Sequence, residues 1–392
     1  MLNLHSLFLN GENPDAFDKV ISPTEEQRKR LIQAKDKIRD HLREGIRRAS
    51  TAVLGMNKQV DPRFRTQGSW SYKTCIQGAH LPPQEMDWDF GVYLPVTVWD
   101  ETAPPLAMAK LYFSFVEDSL EGLCRQEAWV LDKSNPRCVR VKIAPWAHID
   151  LPLYAAPEEK FQKVKDRIAF DHAPSKNYLR ESVSASLEEH SDSGEMPGDF
   201  WAEMEDIHLA KRNGEWAKSD PEQVSKWFDD RVTLHGDQLR RVCRYLKAWR
   251  DYHWDRGGPS SVLLMIMAAK RFERAYGRDD IALEKAAEAI EDLVRGEVRE
   301  MGIDLAAENF NRLDEASRTL ASQRAGDLRS SIRRARVLNA AMKHDAITRM
   351  REQFGDRVPD DVDLVVVDGA AEVRAAQARE VIPPVVGATH AG

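Results

Sequence analysis

Two aspartates one residue apart, Asp87 and Asp89 in EMDWDFGVYLPV, and a third, Asp150 in AHIDLPLY, have the type and spacing for chemistry through divalent metal ions. In the first segment Met86, Trp88, Phe90, Val92 and Leu94 alternate with Asp87, Asp89, Gly91 and Tyr93. That is the period of a strand with one buried face, so both carboxylates point the same way. Residues two apart on a strand lie roughly 6.5–7 Å apart, a span over which short side chains can converge on ions roughly 3.5–4 Å apart. In the second segment Ile149, Leu151 and Leu153 alternate with His148, Asp150 and Pro152, which presents the third carboxylate from another strand. Three such carboxylates suit two Mg²⁺ ions, and Mn²⁺ is compatible with the same ligands. A DxD pair alone also fits a solvated strand face, so its surroundings must decide.

Upstream stands QGSWSYKT, with Gly68 and Ser69 where a strand beginning near Arg63 gives way to a helix. A glycine there lets a phosphate approach the backbone, and the helix-start N–H groups and the Ser69 hydroxyl can donate to its oxygens. Downstream, Ser260 and Ser261 follow Gly257, Gly258 and Pro259 and precede the apolar run VLLMIMAA. One of them is placed to cap a helix, a role compatible with phosphate binding. Lys247 belongs to the basic run Arg240, Arg241, Arg244, Lys247, Arg250, which by itself reads as a solvated helix face. RSSIRRAR, residues 329–336, has the same reading.

The elements that must position these residues divide the chain in two. Of its 392 residues 42% are hydrophobic and 31% charged, an ordinary globular composition with a real core. Residues 24–50 read as a long helix, with Thr24 and Gln27 at capping-box spacing and an apolar stripe of Ala34, Ile38, Leu42, Ile46 and Ala49. From Arg63 to Tyr154 short strands surround one helix, at about 106–124. Residues 171–200, rich in Ser, Asp, Glu and Gly, are expected to form a mobile insertion. From Ser219 onward the periodicity is helical, with Ser219 and Glu222 bracketing Pro221 as a second capping box. The expected division is a core over 1–215, a helical domain over 216–380, and a disordered tail over 381–392.

The net charge of −7 argues against a general nucleic-acid binder, which needs a basic field to neutralise phosphates. The longest apolar run, Val262 to Ala269, falls far short of the roughly 20 residues of a membrane helix. A cytoplasmic protein with no membrane partner is expected. Cys75, Cys124, Cys138 and Cys243 show neither CxxC pairing nor zinc spacing, so free thiols are expected.

The segments TQGSWSYKT, EMDWDFGVY, HIDLPLYA, KSDPE and LRRVCRYLKAWRDYHWDRGGPSS together resemble the bacterial cGAS/DncV-like nucleotidyltransferases, nearest to the cyclic GMP-AMP synthases among them. The resemblance runs from about Pro62 to Ser261. It implies an α+β fold: a polymerase-β-like nucleotidyltransferase core, a mixed sheet with helices, followed by a C-terminal helical domain. It implies that Asp87, Asp89 and Asp150 are the catalytic metal ligands and that Gln67, Gly68, Ser69, Trp70, Ser71 and Tyr72 hold the donor triphosphate. Lys247 and Ser261 match positions that contact phosphates, with Ser260 beside them. Ser219 and Asp220 match positions near the acceptor nucleotide, Arg140 a basic residue of the pocket, and Asp304 a base-reading aspartate.

The function so implied is joining ATP and GTP into 3′,3′-cyclic GMP-AMP with release of pyrophosphate, as an antiphage second messenger that activates a downstream effector. Other readings are a synthase of another cyclic di- or trinucleotide or of a linear product, a catalytically silent nucleotide sensor, and a nucleic-acid-dependent polymerase or DNA-activated sensor. A silent sensor is expected to have lost a metal carboxylate, and the acidic balance disfavours the last reading. The uncharged, Pro-interrupted tail ends at Gly392, an expected conjugation site for an E1/E2-like partner enzyme that the resemblance also implies.

Overall fold

The computed structural model describes residues 1–54, 56, 58–96, 106–159, 207–219, 221–300, 302–303 and 308–368. The expected insertion at 171–200 and the tail at 381–392 lie outside them, as do Asp220, Asp304 and Gly392.

The first half is a mixed sheet flanked by helices. β2 (Arg63–Thr66), β3 (Met86–Val96), β6 (Ala147–Pro157), β5 (Cys138–Ala144) and β4 (Val130–Asp132) lie side by side in that order. The short hairpin of β7 (His208–Ala210) and β8 (Trp216–Lys218) pairs with β6. β3 and β6 run parallel, whereas β2–β3 and β5–β6 are antiparallel. Two helices cover this sheet, α3 (Glu25–Ala52) and α5 (Leu106–Glu127). α3 begins at the anticipated capping box: Thr24 Oγ1 accepts from Gln27 N at 3.2 Å, and Gln27 Oε1 accepts from Thr24 N at 2.8 Å. Its stripe, with Leu31 added, is buried in a core shared with Phe64, Trp88, Phe90, Val92 and Tyr112.

The second half is helical: α6 (Pro221–His235), α7 (Asp237–His253), α8 (Ser261–Lys270), α9 (Asp279–Leu293), α10 (Glu315–Arg336) and α11 (Lys343–Phe354). Leu263 through Ala269 of α8 are all buried, as a helix apolar on every side must be. Each fully buried Leu, Ile or Met there contributes about 1.5–3 kcal/mol. α6 spans Pro221–His235, and before it the Ser219 N–H bonds to Ile207 O at 2.9 Å. Glu222 binds Arg65 through two hydrogen bonds of 3.1 and 2.9 Å, tying α6 to β2.

The first residues, with the short helices α1 (His5–Phe8) and α2 (Phe17–Val20), also pack on this half. β1 (Leu2–Asn3) pairs with β9 (Val366–Val367), and Leu4, Phe8, Phe17 and Ile21 share a core with Tyr245, Trp249 and Phe354. The basic run of α7 is not a solvated face: Arg241 holds Asp279, Arg244 holds Asp18, and Lys247 is only 5% exposed. Of the residues in 329–336, Arg329 and Arg336 pair with Glu291 and Glu284 of α9, while Arg333 and Arg334 are exposed. All four cysteines are free and buried, and no helix of the described residues is long and apolar enough to cross a membrane.

Between the halves, the segment joining the single-turn helix α4 (Gly68–Ser71) to β3 is held through its main chain. The Tyr72 carbonyl accepts from Arg240 Nε at 3.1 Å, that of Thr74 from Lys247 Nζ at 2.8 Å, and that of Gln77 from Arg357 Nη1 at 3.4 Å. In return Gln84 Nε2 donates to the carbonyls of Asp251 and Trp254 at 2.7 and 2.9 Å.

Candidate active site

The parallel register of β3 and β6 assembles the acidic site. Asp89 stands opposite Asp150 and Asp87 opposite His148, while Met86, Trp88 and Phe90 turn into the core behind them. The alternation legible in each strand therefore becomes one polar face two strands wide. β5 completes it from the other side, where Arg140, in register with Asp150, donates to both carboxylate oxygens at 2.6 and 2.7 Å. Asp87 Oδ1, His148 and Asp150 offer donor atoms that all lie within 4.8 Å of one another. Asp89 stands beside this group and rests against Gly68, whose φ of +62° opens α4.

His148 is 6% exposed and spans the acidic face. Its Nδ1 lies 2.7 Å from Glu85 Oε2, and its Nε2 lies 3.2 Å from Asp87 Oδ1 and 3.9 Å from Asp150 Oδ1. The 3.2 Å approach is an ion-pair distance without hydrogen-bond geometry, so Asp87 Oδ1 and His148 Nε2 are both buried without a hydrogen-bond partner. Burial works against a charged imidazole here, but Asp87 and then Asp150 outweigh it and raise the His148 pKa. Burial, and then the Asp87 and Asp150 carboxylates, push Asp89 up to about 8 despite His148 and Arg140. Clustered like charge, with donor atoms left unpaired inside it, fits residues that hold divalent cations.

A cleft of about 480 Å³ opens in front of this face. Gly68, Ser69, Asp87 and Asp89 line one wall, and Lys247 of α7 and Ser261 of α8 line the other. Burial lowers the Lys247 pKa, yet its ammonium is held by the Thr74 carbonyl. Ser260 is the cap of α8, accepting from Leu263 N at 3.2 Å, which leaves Ser261 to face the cleft. Arg250, not singled out from the sequence, also lines it and reaches Ser261 Oγ at 3.3 Å.

The remaining expected residues are placed differently. Tyr72 lines the cleft but is largely buried. Gln67 buries its amide, donating to the Tyr93 hydroxyl at 2.5 Å and accepting from that of Tyr154 at 3.3 Å. Trp70 stacks on Trp88 at 4.2 Å, behind the acidic face, under the Arg28 guanidinium. Ser71 meets Ser225 at 3.3 Å, and Arg140 reaches the site through Asp150. Ser219 follows β8, where its N–H is held by Ile207 O. His148 and Glu85 were missed, although the alternation that exposes Asp150 puts His148 on the same face.

A carboxylate pair on one strand, a third carboxylate on its parallel neighbour, and a helical half closing the cleft define a nucleotidyltransferase-type fold and site. Residues 62–154 match the family described as cyclic GMP-AMP synthase DncV-like, nucleotidyltransferase domain, and residues 236–367 match the cyclic GMP-AMP synthase C-terminal domain. A protein of Escherichia coli strain TW11681, named cyclic GMP-AMP synthase, is 31% identical over 340 residues, 84% of this chain and 76% of its own. One of the same name from Vibrio cholerae serotype O1 is 38% identical over 210 residues, 53% of this chain and 46% of its own. The chain thus spans about half the length of that relative, and 48% of a further Escherichia coli one. Among solved structures, a variant of the Vibrio cholerae di-nucleotide cyclase DncV, in a complex whose ligands include ATP and GTP, shares the fold. Its TM-score is 0.72 at 23% identity, covering 93% of this chain and 99% of that one. The chain belongs to the DncV-like nucleotidyltransferase family.

Proposed function

We propose that this protein is a metal-dependent nucleotidyltransferase that joins ATP and GTP into a cyclic dinucleotide, 3′,3′-cyclic GMP-AMP, with release of pyrophosphate. The observation that carries this reading is the register of β3 and β6, which gathers Asp87, Asp89 and Asp150 on one face, with Asp87 and Asp89 lining a cleft whose other wall presents Lys247 and Ser261. The names of the relatives and the ATP and GTP in the Vibrio cholerae complex support the substrate pair.

Asp87, Asp89 and Asp150 would hold divalent ions, Mg²⁺ or Mn²⁺, which supply Lewis-acid activation of a 3′-hydroxyl and charge neutralisation on the phosphates. The chain's own groups do the rest. Ser69, Ser261 and Lys247 bind and orient the donor triphosphate, and Lys247 offsets charge on departing pyrophosphate from a site of low water content. Arg140 fixes the rotamer of Asp150, and Gly68 lets the triphosphate and Asp89 crowd against one backbone position. The 3′-oxygen of one nucleotide attacks the α-phosphorus of the other, and the same reaction on the linear product closes the ring. A cytoplasmic role in antiphage signalling, through a product-activated effector, extends this reading by resemblance.

The test is incubation of purified protein with Mg²⁺ and each pair of labelled nucleoside triphosphates, followed by phosphatase and linkage-specific nuclease digestion. ATP with GTP is expected to give a phosphatase-resistant product of cyclic GMP-AMP mass with only 3′,5′ linkages. Only cyclic di-AMP from the mixture would overturn the product assignment, and absence of any transfer would overturn the reading.

A further inference from the structure

We propose that His148 is itself a metal ligand, so that the cation at Asp87 and Asp150 sits in a mixed nitrogen and oxygen site that favours Mn²⁺ over Mg²⁺. The inference deepens the functional reading above and rests on it for the presence of a cation. Four observations lead to it. His148 is more than nine-tenths buried, and its Nε2 has no hydrogen-bond partner. That nitrogen faces two carboxylates that belong to the acidic site, at 3.2 Å from Asp87 Oδ1 and 3.9 Å from Asp150 Oδ1. Neighbouring ligand atoms around an ion with bonds near 2.1 Å lie roughly 3 Å apart, so the first spacing already suits adjacent ligands. On the far side of the ring, Nδ1 is 2.7 Å from Glu85 Oε2, which Lys142 Nζ approaches at 3.5 Å.

A carboxylate that accepts the Nδ1–H hydrogen bond fixes the tautomer and leaves the Nε2 lone pair for a metal, the usual support of a histidine ligand. Asp150 remains able to ligate while bound by Arg140, because a carboxylate carries about four lone-pair sites and Arg140 uses two. Asp89, outside this group, is left for a second ion. Mn²⁺, a first-row transition ion, tolerates one imidazole nitrogen among carboxylate oxygens better than Mg²⁺, which prefers oxygen alone. Ligation needs the neutral ring, so uptake of the ion releases any proton on Nε2.

Pulsed electron spin resonance of the full-length protein loaded with Mn²⁺ tests this without turnover. The expected result is modulation from a directly bound ¹⁴N nucleus, replaced by the ¹⁵N pattern when the protein is made with ¹⁵N-histidine, a comparison that needs no variant. His148→Ala is expected to remove the nitrogen signal and to weaken Mn²⁺ binding at least about tenfold while Mg²⁺ binding changes less. Glu85→Gln is expected to keep the signal and still weaken Mn²⁺. Wild-type protein that binds Mn²⁺ and makes product with no nitrogen modulation would overturn the histidine ligand and leave the functional reading intact. A nitrogen signal that survives His148→Ala would overturn it too. Wild-type protein that neither binds Mn²⁺ nor makes product would overturn both.

Discussion

The Asp89 carboxylate rests on the backbone of Gly68: a β-carbon built there would lie 2.0 Å from Asp89 Oδ2 and 3.0 Å from its Cγ. Gly68 also sits at φ +62°, where any other residue is strained. Gly68→Ala is therefore expected to displace Asp89, costing about 1–2 kcal/mol of stability from backbone strain and about 100-fold or more in turnover from misplacement. Chemical denaturation and product formation measured side by side check this. Wild-type turnover in the alanine variant would show that Asp89 need not lie where it does.

Asp87→Asn combined with Asp89→Asn is expected to abolish product formation, by at least about 1,000-fold, without unfolding the protein. Burial and like charge hold Asp89 up at about 8, so the metal-free folded state keeps a proton that the unfolded chain loses near its ordinary 3.8. This group's contribution is fully present below about pH 4 and is lost as pH rises towards 8. In chelator, wild-type stability should decline across that window and the double variant should not. Thermal melts with and without Mg²⁺ make the measurement, and adding Mg²⁺ near pH 8 should raise only the wild-type midpoint.

Ser69→Ala is expected to cost about tenfold in turnover, less than loss of the carboxylates, because neighbouring donors remain. Lys247→Met should cost about 100-fold or more. Its stability should be unchanged or slightly higher, since burial already disfavours the ammonium there. Steady-state kinetics should show the Lys247 loss in kcat/KM. Unfolding by Lys247→Met would reassign that residue to holding the joint at Thr74.

His253, remote from the acidic face, should set part of the acid limb of stability. Burial, and then the Arg324 charge, pull its pKa down to about 4 from 6.5, while Arg324 Nη1 stands 2.6 Å from its Nδ1. The unfolded chain takes up a proton before the folded one does, so stability is full above about pH 6.5 and falls as pH drops towards 4. The loss should amount to about 1–2 kcal/mol after allowing for partial solvent access. Unfolding free energies from denaturation curves of wild type and His253→Gln between these pH values should fall more steeply with decreasing pH in the wild type, and equal slopes would overturn the assignment.

What could be read from the sequence follows the range of the interactions involved. The Thr24 capping box and the placing of Asp87, Asp89 and Asp150 on strand faces depend on neighbours within a few residues, and they were legible. The Arg140 clamp on Asp150 depends on the register of β5 with β6, which alternation alone does not fix. His148 was visible on the right face, yet only the cross-strand partner Asp87 shows what it touches. Trp70 sits in a motif associated with triphosphate, but its ring follows the apolar side of β3 to Trp88. The packing of the first residues on the helical half joins positions as distant as Leu4 and Asp280, whose hydrogen bond of 3.2 Å spans 276 residues.

Cations of the helical half, Arg240 and Lys247 of α7 and Arg357 after α11, meet the segment before β3 at carbonyl oxygens, those of Tyr72, Thr74 and Gln77. Every residue type carries such an oxygen. The side chains that this segment turns towards the cleft, such as Cys75 and Ile76, can therefore be exchanged while these main-chain fastenings remain. The chemistry of the cleft lining is thereby separable from that part of the coupling between the halves, whereas the part carried by the Gln84 and His80 side chains stays tied to residue identity.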